Sequence, residues 1–385
     1  MKQKRLPEDF QVEELTDFRA SQGPYALYRL TKRGMGTLEA VQALRKRWRL
    51  MPGQMSSGGL KDRHAVTTQW ITIRNGPRRN LKQTNLDVVY EGQADRPFEP
   101  RDIAGNRFHL VLRGLSDGEA AHACQALIEI ERYGLPNYFN QQRFGSVGRS
   151  GDFIARAWCA EEYEQAIWLV LADANPHDRS GMRAEREVVR RHWGDWARCR
   201  SRLHRSPWLE IVDYLLHHPA DFGGAAERIR PDLRSLYVAA FQSLLWNQML
   251  ATFLREHLRP EQLAGASIAG RSIALYGPLD PEQRAAISAA RLPLPSARLK
   301  VGAGPLKALI DEVVAPFGLT LDKLRIKRPR QTFFSKGDRP AVFFARDLVQ
   351  EIGPDELYSG RSKLTLHFRL PRGSYATVLI KRLAL

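Results

Sequence analysis

The stretch Ser56-Ser-Gly-Gly-Leu-Lys-Asp-Arg-His-Ala-Val-Thr-Thr-Gln-Trp-Ile-Thr-Ile73 changes character at its middle. Its second half, from Val66, is β-branched and aromatic with period-two alternation and reads as a strand. Its first half is small, and Gly58 and Gly59 let the backbone turn tightly or lie close to a ligand. Between the halves stands one carboxylate, Asp62, flanked by Lys61, Arg63 and His64. Neighbouring cations favour the charged form of a carboxylate, which makes it a poor proton donor but a competent nucleophile or charge stabiliser. The same residue also fits a turn before a strand, with its side chain bonded to nearby amides.

Outward from this stretch the chain alternates strands with helices. Strand-like runs occur at Phe10–Leu15, Tyr25–Leu30, Leu86–Glu91 and Asn106–Leu112. Thr37 reads as the N-cap of a helix whose Leu38, Val41, Leu44 and Trp48 recur at helical spacing. Ser116 with Glu119 makes a capping box for a second helix, which ends near Gly134. At the far end Leu364, Leu366, Phe368 and Leu370 alternate again, then Pro371-Arg-Gly373 turns into a short helix from Ser374 to Arg382. From about Asp152 to Arg330 helical texture dominates instead, notably over Leu236–Leu254, and Leu263–Leu299 shows no clear elements. A strand-rich pattern that stops and resumes is what one domain interrupted by another produces. The expected boundaries are 1–158 with 346–385 for the interrupted domain and 159–345 for the insertion.

Two further stretches attract attention. Gly134-Leu-Pro-Asn-Tyr-Phe-Asn-Gln-Gln-Arg-Phe-Gly145 packs aromatics, an arginine and four carboxamides into a turn-rich segment. Exposed, such groups would stack on and read single-stranded bases; buried, the amides would satisfy their own loop. Arg190–Arg205 and Lys323–Arg330 are strongly basic, and Trp193 and Trp196 sit among Arg198, Arg200, Arg202 and Arg205. That mixture points to nucleic acid, although charged runs are usually solvated helix faces.

The whole chain of 385 residues carries 59 Lys and Arg against 42 Asp and Glu, for a formal charge of +17. Such an excess calls for a polyanionic partner, nucleic acid before membrane. No apolar run reaches the roughly 20 residues that span a bilayer, and the N-terminus lacks a signal-peptide core, so a cytoplasmic protein is expected. Three scattered cysteines suggest neither a disulfide framework nor a zinc cluster. Phosphate-loop, dinucleotide, His-Glu-x-x-His, Gly-x-Ser-x-Gly and zinc-deaminase signatures are missing, so chemistry without cofactor or metal is expected.

Four segments, in this order and spacing, resemble the TruD family of tRNA pseudouridine synthases. They are Pro7-Glu-Asp-Phe10, Gly59-Leu-Lys-Asp62 with Arg63-His-Ala-Val-Thr and Gln69, Asn137-Tyr-Phe with Gln142-Arg-Phe-Gly145, and Leu370-Pro-Arg-Gly-Ser-Tyr-Ala-Thr377. The resemblance implies an α+β fold: a catalytic domain with a mixed, largely antiparallel sheet flanked by helices, interrupted by a mainly helical α/β domain. It implies an isomerase that converts a uridine of tRNA, uridine-13 in the D-arm, into pseudouridine. Asp62 would be the catalytic residue, and Phe10, Asn137 and Tyr375 would line the uridine pocket. Tyr375 departs from the Phe of many members, and its hydroxyl needs a partner. The sequence does not identify the cation paired with Asp62; Lys61 and Arg143 are the candidates, and Phe139 is a further expected substrate contact. The expected partner is tRNA and the expected state a monomer. Isomerisation of another structured RNA, or RNA binding without catalysis, are the alternative readings.

Overall fold

Strand β1 (Phe10–Thr16) does not close a hairpin with its successor β2 (Tyr25–Arg33), because a later strand is inserted between them. The remaining strands of this sheet are β3 (Met55–Ser57), β4 (Val66–Arg74), β5 (Leu81–Gln83), β6 (Leu86–Ala94), β7 (Ile103–Leu115), Arg346–Pro354 and Ser362–Pro371. From edge to edge the order is Arg346–Pro354, Ser362–Pro371, β7, β1, β4, β2, β6, β5, and β3 also pairs with β4. β1 and β4 run parallel, Gln11 opposite Val66 and Glu13 opposite Thr68. The other pairings are antiparallel. The sheet is therefore mixed and largely antiparallel. The computed structural model describes residues 1–204 and 206–385, so Arg205 of the basic run lies outside the described residues.

Alternation decides which side chains this sheet buries. Ala26, Tyr28 and Leu30 of β2 pack with Ile71 and Ile73 of β4 and Leu86 and Val88 of β6. Helix α1 (Thr37–Trp48) covers them with Ala40 and Leu44. Its N-cap is Gly36, one residue earlier than the sequence suggests, and Leu38 points to solvent at 64% exposure. The Thr37 hydroxyl is used elsewhere, as described below. Helix α2 (Asp117–Tyr133) starts as expected: the Ser116 hydroxyl accepts from the Glu119 amide at 3.2 Å, and the Glu119 carboxylate accepts from the Ser116 amide at 2.8 Å. It stops at Gly134, whose φ of +73° few other residues would adopt. The closing helix Ala376–Leu383 packs on α2, where Arg382 pairs with Glu129 at 2.5 Å.

These elements form one compact unit, Met1–Leu135 with Phe343–Leu385; the other is Pro136–Val342. The second is built on a 27-residue helix, Pro231–His257, which buries Phe241, Leu244, Leu245, Trp246, Met249 and Leu250. Within Leu263–Leu299, where the sequence shows no clear elements, the chain makes an antiparallel hairpin of Leu263–Ile268 and Arg271–Tyr276 and a helix, Pro281–Ala289. Residues 136–158 pack with this second unit. The Tyr138 hydroxyl donates to the Ala274 carbonyl at 2.9 Å, the Phe139 ring meets Trp246 at 5.5 Å, and Phe153 meets Phe241 at 5.7 Å.

Candidate active site

The loop from Gly58 to Ala65 delivers Asp62 just before β4, beside the start of β1. Its path is set by close packing first. A side chain at Gly58 would come within 2.4 Å of the Ile103 δ-methyl, and Gly59 holds a φ of +155°. Buried polar groups then bind its backbone. The Thr37 hydroxyl accepts from the Lys61 amide at 2.9 Å and donates to the Gln69 Oε1 at 3.1 Å. Gln69, itself fully buried, donates to the Gly59 carbonyl at 3.4 Å. Lys32 continues the alternation of Ala26, Tyr28 and Leu30 and is fully buried. Its ammonium donates to the carbonyls of Met35 at 2.6 Å and Asp62 at 2.7 Å. Burial pushes this amine down to about 8, against the opposing pull of the Asp62 charge. A buried cation is costly unless hydrogen-bonded, so Lys32 ties the loop to the turn between β2 and α1.

The cation on the Asp62 carboxylate is Lys4, with Nζ to Oδ2 at 2.5 Å; both side chains are partly exposed, at 28% and 22%. Lys61, a candidate for that role, turns the other way. Its ammonium pairs with Glu14 at 2.9 Å and donates to the Asn106 Oδ1 at 2.8 Å. The Glu14 carboxylate is buried and also accepts from the Trp70 amide at 2.9 Å, so Lys61 neutralises a buried charge inside the sheet. Lys4 also lies 3.9 Å from the centre of the Phe10 ring, a cation–π arrangement. Phe10 is 6% exposed, edge-on to Phe108 at 6.2 Å, and Phe108 stacks on Phe368 at 5.2 Å.

The Pro7-Glu-Asp-Phe10 motif serves to hold this arrangement. The buried Asp9 carboxylate accepts from the Leu6 amide at 3.0 Å and from the Arg113 Nε at 2.9 Å. Arg113 reaches Asp355 with its other arm at 3.1 Å. Lys2 and Arg113 exchange backbone hydrogen bonds at 2.7 and 2.8 Å. The N-terminal segment is thus stitched to β7, and Lys4, with φ +51°, is presented to Asp62 from a backbone conformation that non-glycine residues seldom adopt. Tyr375, half-buried, is the N-cap of Ala376–Leu383, and its carbonyl accepts from the Val378 amide at 3.1 Å.

Asn137, Phe139 and Arg143 belong to the second unit and have partners there. The Asn137 Nδ2 donates to the Pro340 carbonyl at 3.1 Å, and its Oδ1 accepts from Arg339 at 2.5 Å. Phe139 is 7% exposed, between Trp246 and the Arg339 guanidinium 4.2 Å from its centre. Arg143 lies 5.3 Å from the same ring. The backbone of Phe139 is clamped by Asn247, which accepts from its amide at 2.8 Å and donates to its carbonyl at 2.9 Å. Tyr138 and Phe139 are therefore interior residues, and their rings are not an open stacking platform. The tryptophans of the basic run are also structural: Trp196 is 3% exposed, and Trp193 stacks on Phe222 at 6.1 Å. Arg198 pairs with Asp195 at 3.4 Å, Arg200 with Asp213, and Arg202 lies 3.0 Å from the His192 Nε2.

Sequence reasoning missed Lys4, Lys32 and Glu14. Lys4 carries no periodic signal. Lys32 does, as a lysine in phase with three core residues of one strand. Among the described residues no group of three or more His, Cys, Asp and Glu is placed to hold a metal ion, and no helix is long and apolar enough to cross a membrane.

A mixed, largely antiparallel sheet packed with helices defines an α+β protein, with an ion-paired aspartate on the loop that enters a central strand. A family model described as tRNA pseudouridine synthase D (TruD) matches residues 1–383. The probable tRNA pseudouridine synthase D 2 of Methanocaldococcus jannaschii is 30% identical over 99% of this chain and 91% of its own length. The tRNA pseudouridine synthase D of Aquifex aeolicus is 29% identical over 99% of this chain and 97% of its own. The fold matches the crystal structure of a putative tRNA pseudouridine synthase D from Methanosarcina mazei with a TM-score of 0.73 at 23% identity, covering 100% of this chain and 93% of that one. The chain belongs to the TruD family and is an RNA pseudouridine synthase, an isomerase.

Proposed function

We propose that this protein isomerises uridine-13 in the D-arm of tRNA, with Asp62 as the catalytic carboxylate. The observation that carries the reading is the Lys4–Asp62 pair at 2.5 Å, on a loop whose backbone is bound by Thr37, Gln69 and Lys32. The reaction breaks the bond from the sugar C1′ to N1 of the base and forms one from C1′ to C5. The proton lost from C5 is balanced by one gained at N1, so no redox partner or transferred group is needed. A carboxylate beside C1′ can attack it, or stabilise the positive charge developing there, and can take up the C5 proton afterwards. Lys4 holds the carboxylate in place, and a loop with its own amides and carbonyls already bonded keeps it from wandering. The base cannot rotate within a stacked helix, so the nucleotide is flipped out. The target position is the one that the resemblance to the family implies. In this reading the sheet unit performs the isomerisation, and the insertion adds contacts to tRNA.

Pseudouridine mapping of tRNA incubated with the wild-type protein and with Asp62→Asn tests this. New pseudouridine at position 13 with the wild type alone supports it. Modification elsewhere in the tRNA or in other RNA removes the assigned position, and equal modification by both proteins removes Asp62.

A further inference from the structure

The second unit contains a cavity of about 450 Å³ that the isomerisation leaves unused. Its volume lies within the range of small-molecule sites. The floor is apolar and partly aromatic: Phe144 and Phe153 stand edge to face at 6.4 Å, and Leu244 of the long helix lies beside them. At the mouth are two exposed arginines, Arg149 and Arg271, and no aspartate or glutamate contributes to the lining. Other cavities differ on this point. One of about 900 Å³ in the same unit is lined by Glu161, Glu162, Glu164 and Asp221, and one of about 370 Å³ in the sheet unit by Glu13 and Asp87. Gln248 in the wall has a buried Oε1 with no hydrogen-bond partner, an acceptor to which a ligand N–H could donate.

An apolar, partly aromatic floor, a buried amide oxygen without a partner and a cationic, carboxylate-free rim suit a planar heterocycle that carries an anion. We propose that this cavity binds one nucleotide of the RNA substrate, its base on Phe144, Phe153 and Leu244 and its phosphate at Arg149 and Arg271. The inference rests on the RNA substrate proposed above. It gives the inserted unit a defined role, the capture of an unstacked nucleotide other than the one isomerised. Aromatic contact supplies sequence-tolerant affinity and the arginines supply the salt-dependent part.

The test titrates the full chain with UMP and with inorganic phosphate, then with tRNA. We expect UMP to bind the wild type and Asp62→Asn alike, and the doubly substituted Arg149→Gln, Arg271→Gln protein about tenfold more weakly. Both arginines are exposed, so this variant should fold; its circular dichroism spectrum and melting temperature check that. With tRNA the double variant should raise KM about five- to tenfold, with the loss in binding rather than in kcat. UMP binding abolished by Asp62→Asn would place the nucleotide at the catalytic loop and overturn the proposal. Inorganic phosphate binding as tightly as UMP would reduce the cavity to an anion site and overturn it too, as would unchanged UMP and tRNA affinities in the double variant. Loss of pseudouridine formation on every RNA tried, with UMP still held in this cavity, would sink the functional reading and leave the nucleotide site standing.

Discussion

Two stretches of this chain look equally suited to chemistry in the sequence: Gly59–Asp62 in the sheet unit and Gly134–Gly145 in the helical one. In the first, buried groups from other elements bind the backbone, and the Asp62 side chain stays partly exposed and paired with Lys4. In the second, the distinctive side chains themselves are consumed by the core: Tyr138 by Ala274, Phe139 by Trp246 and Arg339, Asn137 by Pro340 and Arg339. Composition alone does not separate these cases. What separates them is which part of the residue, main chain or side chain, the fold uses to hold the segment.

The sharpest way to break this comparison is at Asp62. We expect Asp62→Asn to lower turnover by roughly 10³-fold or more, while tRNA affinity changes by less than about tenfold. Retention of a tenth of wild-type turnover in single-turnover assays would take Asp62 out of the reaction.

In the other stretch the effect should fall on stability instead. Phe139→Ala removes a ring wedged against Trp246 and should cost about 3–5 kcal/mol of folding free energy. Denaturant unfolding gives the number. A variant of full stability with a raised KM for tRNA would make Phe139 a substrate contact after all.

Lys32 sharpens the comparison through pH. Its amine is at about 8 in the folded protein against 10.5 when free, so between those values the unfolded chain binds the extra proton. Stability from this group is therefore lowest below pH 8 and rises as pH climbs from 8 to 10.5, by an amount on the order of 3 kcal/mol. Urea unfolding of the wild type and Lys32→Met across that range should show the rise in the first and not in the second. Parallel curves would mean that burial does not depress this amine.

The smallest effect is expected at the basic run. Arg198 and Arg200 are paired with the carboxylates of Asp195 and Asp213, and Arg202 is bonded to His192, which leaves less charge for phosphate than their number suggests. Replacing all three with Gln should flatten the salt dependence of tRNA binding by less than about 1 in slope. A change near 3 would show that these arginines exchange their partners for phosphates.

Much of the fold was legible. Period-two alternation located β1, β2, β4, β6 and β7, and the Ser116–Glu119 capping box and Gly134 placed both ends of α2. These signals are local, and the structure keeps them because local preference and burial agree. The short strands β3 and β5 and the hairpin at Leu263–Tyr276 were not legible, since runs of three to six residues carry too little pattern to stand out. At the candidate site, the glycines before Asp62 and the strand after it drew attention to it but fitted a turn equally, and only the family resemblance gave it a role.

The sequence by itself determined the family and the positions of most sheet-forming segments along the chain, because each is written in contiguous residues. Only the tertiary structure decided which lysine the Asp62 carboxylate meets. Lys61 is its neighbour in the chain, yet the parallel pairing of β1 with β4 brings Glu14 to Lys61, and the antiparallel pairing of β1 with β7 sets Asn106 opposite Glu14. The parallel pairing, with Arg113 holding Asp9, carries Lys4 across 58 positions of sequence to within 2.5 Å of Asp62. A charge in a folded chain takes the partner that strand register and burial bring to it, and neither is set by residues next to it in sequence.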